Sequence, residues 1–453
     1  MSLVGELAAR AHSVASAPTP PAVRTAVRAH LTDAVGALVA GRTTLGDSVA
    51  GLAHTLSPEF GAARRTAFVG GVYAHAWEAG DIHRGSVLCP GCVVLPATLA
   101  VLPAHPEASS DDYERAVLAG YEVALAAAAA IGGDGLIRRG WWPTALLAPL
   151  GAAAAAAVLL DRAPDVTAAS IALAAQHAGG SIAGATDRAD GKYLMAGFAA
   201  ERAVTAFLAA DAGWTGPLDI LDDPRSPLRR EQALPGPYLT PETSLKPHAG
   251  AKHLQGAIDA VLALRRPGGW RPGEVRQLTC LLPAQLARIV DRPPPFGSPL
   301  SALGSAQFVL AISAIRGHCT PWDFEEAALR DEAVLELARA VRVEAADDLT
   351  AAYPAKWGAR VELTTTSGVV AADRLDARGD PGNPLTHQEI VAKFTTLARW
   401  ELGPVRARVV AESLLRPGSG IQAVREHVLP LLGGTFGRAP HDAAASVRTG
   451  GSS

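Results

Sequence analysis

The chain has 453 residues, with 41 basic against 44 acidic side chains, 49% hydrophobic residues and only 5% aromatic ones. That length allows two or three domains with large cores. The net charge of −3 leaves no electrostatic footprint for nucleic acid or an anionic membrane surface. Alanine carries much of the apolar content, and as the best helix former it predicts closely packed helices.

The N-terminal segment lacks a basic stretch followed by an apolar one, so it does not read as a secretory signal. Thr19-Pro20-Pro21 opens a helix through Val39, with Val23, Val27 and Leu31 at four-residue spacing. Ser110-Asp-Asp begins a helix that runs to Ile131 and stops at Gly132-Gly133. Pro143 falls in the first turn of an alanine-rich helix ending before Asp161. Val166–His177 and Ala196–Ala212 are two more helices, with Gly179, Gly180, Gly184 and Gly191 marking the loop between them. The most apolar stretches, Ala124–Ile131 and Ala145–Leu160, read as buried helices rather than membrane spans, which need about 20 strongly apolar residues.

After Pro241 the pattern changes. Val275–Leu282, Val341–Ala346, Ala359–Thr366 and Val369–Asp373 are rich in β-branched residues, the last two paired as a hairpin around Gly368. Helices Ala251–Leu264 and Leu303–Ile315 lie among them, and helix returns from Thr386 through Trp400 and from Gly420 to Leu432. The expected fold is mainly α: a large helical domain (1–242 and 386–437) with an inserted smaller α+β lid domain (243–385) and a disordered tail (438–453). A cleft between two such domains is the default place for a small-molecule site.

Four cysteines do not make a disulfide framework, which points to a reducing cytoplasm. Cys89 and Cys92 form a Cys-x-x-Cys pair, but Cys280 and Cys319 lack the spacing of a second ligand pair, so no metal site is expected. Only five of the 41 basic residues are lysine: Lys192, Lys246, Lys252, Lys356 and Lys393. In a chain so biased to arginine, a surviving lysine marks a place where a compact, titratable ammonium is wanted. Lys356 and Lys393 read as surface residues.

Several blocks, in order, resemble the MmgE/PrpD family of 2-methylcitrate dehydratases and cis-aconitate decarboxylases. They are Cys89-Pro-Gly-Cys with Leu95-Pro-Ala, Gly140-Trp-Trp-Pro-Thr, Lys192-Tyr-Leu-Met-Ala-Gly, Lys246-Pro-His-Ala-Gly-Ala-Lys-His and Gly379-Asp-Pro-Gly-Asn-Pro-Leu. The resemblance implies a homodimer with cofactor-independent chemistry on small polycarboxylates; the charge balance already leaves no nucleic-acid or membrane partner expected. The resemblance places Lys192 and Lys246 at the family's site lysines and Lys252 at its usual arginine; His253, which follows Lys252, either faces the cleft or caps a helix. It also places Cys89 and Trp142 where the family's two catalytic histidines stand, and Phe308 at a proton-donating tyrosine. Indole cannot titrate usefully, so Trp142 cannot act as a histidine does.

Asp81 is retained from an aspartate-rich segment, and His83 replaces a threonine there. Three readings stay open: Cys89 as a proton donor or nucleophile with its thiol pKa pulled down by the lysines, His83 in the lost histidine's role, or a pocket that only positions a reactive substrate. The plain alternatives are a buried, inert Cys89 and an ordinary hydrogen-bonded His83. The resulting expectation is a lyase or isomerase for a carboxylate other than the citrate type, carrying out elimination, isomerisation or cyclisation. Its proton-transfer candidates are Cys89, His83, Asp81 and Lys192. Its binding candidates are Lys246, Lys252, Trp142, Phe308 and His253. The alternatives are a family-derived binding or scaffolding protein without chemistry and, less favoured, standard 2-methylcitrate dehydratase or cis-aconitate decarboxylase activity.

Overall fold

The computed structural model describes residues 1–56, 61–182, 191–266, 270 and 273–433. The expected tail from 438, and Gly184 of the predicted glycine loop, lie outside the described residues.

The first part is all helix: α1 (Leu3–Ser16), α2 (Pro21–Leu56), α3 (Ala62–His75), α4 (Gly91–Val101), α5 (Ser110–Ile131), α6 (Gly133–Arg138), α7 (Pro143–Leu159), α8 (Pro164–Gln176) and α9 (Gly191–Asp211). Local chemistry explains the boundaries. Ser109 caps α5 through a reciprocal pair: its hydroxyl accepts from Asp112 N at 3.2 Å, and its N–H donates to the Asp112 carboxylate at 2.9 Å. Gly132 ends α5 at φ +82°, and Pro143 occupies the first turn of α7. The central helix is α7, packed against α4, α5, α8 and α9.

The alanine content acts through close backbone approach. A Cβ on Gly151 of α7 would lie 2.1 Å from the Gly120 carbonyl oxygen of α5, and one on Gly41 would lie 2.0 Å from that of Tyr73. The second contact explains why α2 continues past the expected end at Val39: Gly41 serves a helix crossing, not a helix stop. Among the described residues no helix is long and apolar enough to cross a membrane.

The second part carries α10 (Gln255–Leu264), β1 (Val275–Leu282), α11 (Ala284–Val290), α12 (Pro299–Leu303), α13 (Ala306–Arg316), α14 (Glu326–Leu329), α15 (Glu332–Arg339), β2 (Val341–Ala345), α16 (Asp347–Ala352), β3 (Ala359–Thr365) and β4 (Gly368–Arg374). The four strands form one mixed sheet in the order β2-β1-β3-β4. The pair β1/β2 is parallel, with Leu278 opposite Val341, while β1/β3 and the β3/β4 hairpin are antiparallel. Leu278, Cys280, Val361 and Leu363 bury one face together with Phe308 and Ile312 of α13. The chain then returns through α17 (His387–Leu402), α18 (Pro404–Leu415), α19 (Gly420–His427) and α20 (Leu429–Gly433), with α17 and α18 packed on α2. The fold is therefore mainly α with a smaller α+β portion.

Two features join these parts. Glu122 of α5 is fully buried and accepts the N–H groups of Tyr238, Leu239 and Thr240 at 2.8–3.0 Å and the Thr240 hydroxyl at 2.7 Å. This pins the long connection onto the helical body just before the composition changes. In addition, Ala40, Ala76, Trp77 and Ala79 belong to the apolar cluster of the α+β portion, so the segment after α3 lies where the two meet.

Candidate active site

The segment that follows α3 is held from the other side by two short backbone contacts. Ile82 exchanges hydrogen bonds with Ser244 at 3.0 and 2.8 Å, and Leu245 N donates to the Gly379 carbonyl at 2.9 Å. Gly379 sits at φ +89°, where a Cβ would lie 1.9 Å from the Leu245 carbonyl oxygen, so only glycine fits. Its neighbour Asp380 is fully buried and accepts from Ser244 Oγ at 2.7 Å, from Arg84 at 3.2 Å and from the Lys252 ammonium. The Gly-Asp-Pro block thus fastens the 244–252 segment beside residues 82–84.

Lys246 is the residue this wiring delivers. It is only 3% exposed, and among the described residues its ammonium has no hydrogen-bond or ion-pair partner. Burial pushes its pKa down; Cys89 and Glu78 act in the opposite direction, and Lys393 and Lys192 add to the lowering. A desolvated, unpartnered charge is expensive in a folded interior. It persists where something other than stability requires it.

Glu78, Lys192 and Tyr193 stand close by. The Lys192 ammonium donates to Glu78 Oε1, and Tyr193 donates to the same oxygen at 3.5 Å. Burial raises the Glu78 pKa, but the attraction of Lys192, Lys246 and His75 prevails and holds the carboxyl well below the usual carboxylate range. Glu78 also adopts φ +47°, a left-handed backbone that is uncommon for a non-glycine residue and is characteristic of functional sites.

Two histidines complete the cluster. His75, the last residue of α3, packs its ring against Trp142 at 4.7 Å and Tyr193 at 5.8 Å, and its Nε2 has no partner among the described residues. Burial, with Lys192 and Lys246 adding to it, pushes its pKa down to about 3, so the ring is neutral. His253 stacks on Trp357 at 5.1 Å and 22°, leaves Nδ1 unpartnered among the described residues, and is pushed down to about 4 by burial. The charges of Glu78, Lys192 and Lys246 reach this ring as well.

Cys89 faces the same group of charges. Its N–H donates to Thr144 Oγ1 at 3.0 Å, and Cys92 Sγ donates to the Cys89 carbonyl at 3.3 Å. The expectation of a lowered thiol pKa is corrected here: burial pushes Cys89 up to about 11, and the counter-pull of Lys246 does not offset it. Cys89 is a neutral thiol. No cluster of three or more metal-ligating side chains occurs among the described residues.

The other sequence-predicted residues divide. Trp142 borders the cluster through His75, and its backbone N–H donates to the Gly180 carbonyl at 3.0 Å. Asp81 is 1% exposed and fully engaged, accepting from Tyr121 OH at 2.7 Å and Gly91 N at 3.1 Å and bonding His30 Nδ1 at 3.1 Å. Lys252 is buried in its pair with Asp380. Phe308 is fully buried between Phe296 and Phe324 in the core behind the sheet.

His83 lines a separate cavity of about 750 Å³ with Gly132, Gly133, Arg138, Glu231 and Glu242, none of which belongs to the lysine cluster. Its Nδ1 bonds Ser86 Oγ at 2.7 Å, and burial lowers its pKa to about 4. Lys393, expected at the surface, is instead buried and donates to Asp33 and to the Ala79 carbonyl. Sequence reasoning missed Glu78, His75, Tyr193 and Trp357. The available signal was position alone, since His75 and Glu78 flank Trp77 just ahead of Asp81.

The fold is a helical body with a small mixed sheet, and a buried cluster of lysines, a carboxylate and neutral histidines lies where the two join. The chain matches the MmgE/PrpD N-terminal domain over residues 5–229 and the MmgE/PrpD C-terminal domain over 248–416, and it belongs to the MmgE/PrpD family. It is 25% identical to the cis-aconitate decarboxylase-like protein oryM of Aspergillus oryzae over 387 residues, which cover 77% of this chain and 78% of that protein.

Proposed function

We propose that this chain is a lyase or isomerase that works without a cofactor on a small carboxylate, which it holds on Lys246 and Lys192. The observation that carries this reading is the buried Lys246 ammonium, which has no partner among the described residues. A substrate carboxylate supplies the charge-assisted hydrogen bond that those residues leave unmade. Family membership and the decarboxylase-like relative support lyase-type chemistry.

The proton-moving group in this reading is Glu78. As the substrate carboxylate draws on Lys192, Glu78 loses part of the positive field that depresses its pKa and becomes a stronger base. The C–H bond beside the substrate carboxylate breaks, and its proton goes to a Glu78 oxygen. The electron pair spreads onto carboxylate oxygens held by the two ammonium groups. Return of the proton to the opposite face gives isomerisation; loss of a neighbouring group gives elimination.

The substrate is proposed to differ from citrate-type compounds, because Trp142 and the rings around His75 make this wall apolar and the neutral Cys89 thiol replaces a titrating imidazole. Calorimetric titration of small carboxylates into the wild-type protein and Lys246→Met tests the anchoring. Binding weakened at least thirtyfold, about 2 kcal/mol, is expected for the variant. Equal affinity would overturn it.

A further inference from the structure

We infer that the site accepts a monocarboxylate with an apolar or unsaturated body, because Glu78 already occupies the place that a second substrate carboxylate would take. The inference rests on the anchoring role proposed above for Lys246 and Lys192.

The lysine ammonium groups at the site and their carboxylate partners carry this inference. Four lysine ammonium groups lie in or next to the site: Lys192, Lys246, Lys252 and Lys393. Lys252 is paired with Asp380, which Arg84 shares, and Lys393 is paired with Asp33. Lys192 is matched by Glu78. Among the described residues Lys246 is the one lysine of these four without an ion-pair partner, and at 3% exposure it is also the most thoroughly enclosed of them. One arriving carboxylate closes the balance. A second would bring an extra anion beside Glu78 with no lysine ammonium left unpaired among the described residues to meet it, and like charges are costly at low dielectric.

The balance also survives the chemistry. When a proton passes from the substrate to Glu78, the carboxylic acid becomes neutral and the substrate carries the second negative charge, so two ammonium groups face two negative charges throughout. The neighbouring rings supply the rest of the specificity. Trp142, Tyr193 and His75 pack together on one side, and the His253–Trp357 stack lies within reach of the same charges. Such surfaces suit an apolar or flat substrate body, not a second anion.

Matched probe pairs test this: butyrate against succinate and crotonate against fumarate, titrated by calorimetry into the wild-type protein and Glu78→Gln. The expected result is a preference of at least tenfold for the monocarboxylate of each pair in the wild type. In Glu78→Gln, which frees Lys192, the dicarboxylate is expected to gain at least tenfold. Wild-type binding of succinate or fumarate as tight as that of its partner would overturn the inference while leaving the lysine anchor standing. Failure of all four probes to bind would overturn the anchor and the inference with it. The wild-type ratio decides the matter even if the variant does not fold.

Discussion

Replacing Lys246 by methionine is expected to stabilise the empty protein while abolishing its grip on carboxylates. The side chain is 3% exposed and its ammonium has no hydrogen-bond partner among the described residues. Methionine fills nearly the same volume without a charge. Exchanging buried ionic groups for apolar ones of similar shape often gains about 1–4 kcal/mol. Some of that gain is offset, because Lys246 attracts Glu78; Lys192 already bonds the same carboxylate, which keeps the offset small. A net gain of about 1–2 kcal/mol follows, or a Tm rise of about 1–4 °C for a chain larger than those for which 1 kcal/mol gives 2–4 °C.

The pH dependence has a definite sign. The folded pKa of Lys246 lies below its ordinary 10.5, so the unfolded chain binds more protons between the two values. The wild type therefore carries the full penalty below the folded pKa and sheds it as pH rises toward 10.5. The advantage of Lys246→Met is therefore largest below the folded pKa and shrinks as pH rises toward 10.5. Urea unfolding of both proteins across pH measures this, and taking the difference cancels Lys252, which is shifted in the same direction. A variant at least 1 kcal/mol less stable than the wild type at neutral pH, or an advantage that grows with pH, would refute the reasoning.

Lys252→Met is expected to do the opposite, costing about 3 kcal/mol in urea unfolding because it strips a cation from the fully buried Asp380; a neutral effect would show that Arg84 and Ser244 satisfy Asp380 alone. The Cys89 thiol should titrate near pH 11, seen as the ultraviolet thiolate signal lost in Cys89→Ser, and move higher still in Lys246→Met. Thiolate formation below pH 8 would contradict the burial argument. Gly151→Ala should destabilise by about 3 kcal/mol or more, since its methyl would fall 2.1 Å from the Gly120 carbonyl; a loss under about 0.5 kcal/mol would mean that α5 and α7 can part freely.

Local signals carried the fold well. The helix starts read at Ser110 and Thr386, the glycine stop at Gly132, and the β-branched runs that become β1 to β4 all act within a few residues of where they stand, although the residue that caps α5 is Ser109, one before the expected start. The end of α2 was misjudged because Gly41 is used by a contact with Tyr73, residues distant in sequence. The site was only half legible for the same reason. Lys192 and Lys246 stand in recognisable blocks, but whether a lysine is free depends on partners far along the chain: Asp380 takes Lys252, and Asp33 takes Lys393. Asp81 looked chemical until Tyr121, His30 and Gly91 were found to use its oxygens. Glu78 carries no motif, and its importance follows from burial beside two ammonium groups.

The most direct test of the carboxylate anchor is a crystal structure of the protein with butyrate or crotonate bound. The account predicts a carboxylate oxygen within hydrogen-bond distance of Lys246 Nζ, with Glu78 still facing Lys192. A ligand seated instead in the cavity beside His83, leaving Lys246 unpartnered, would contradict it.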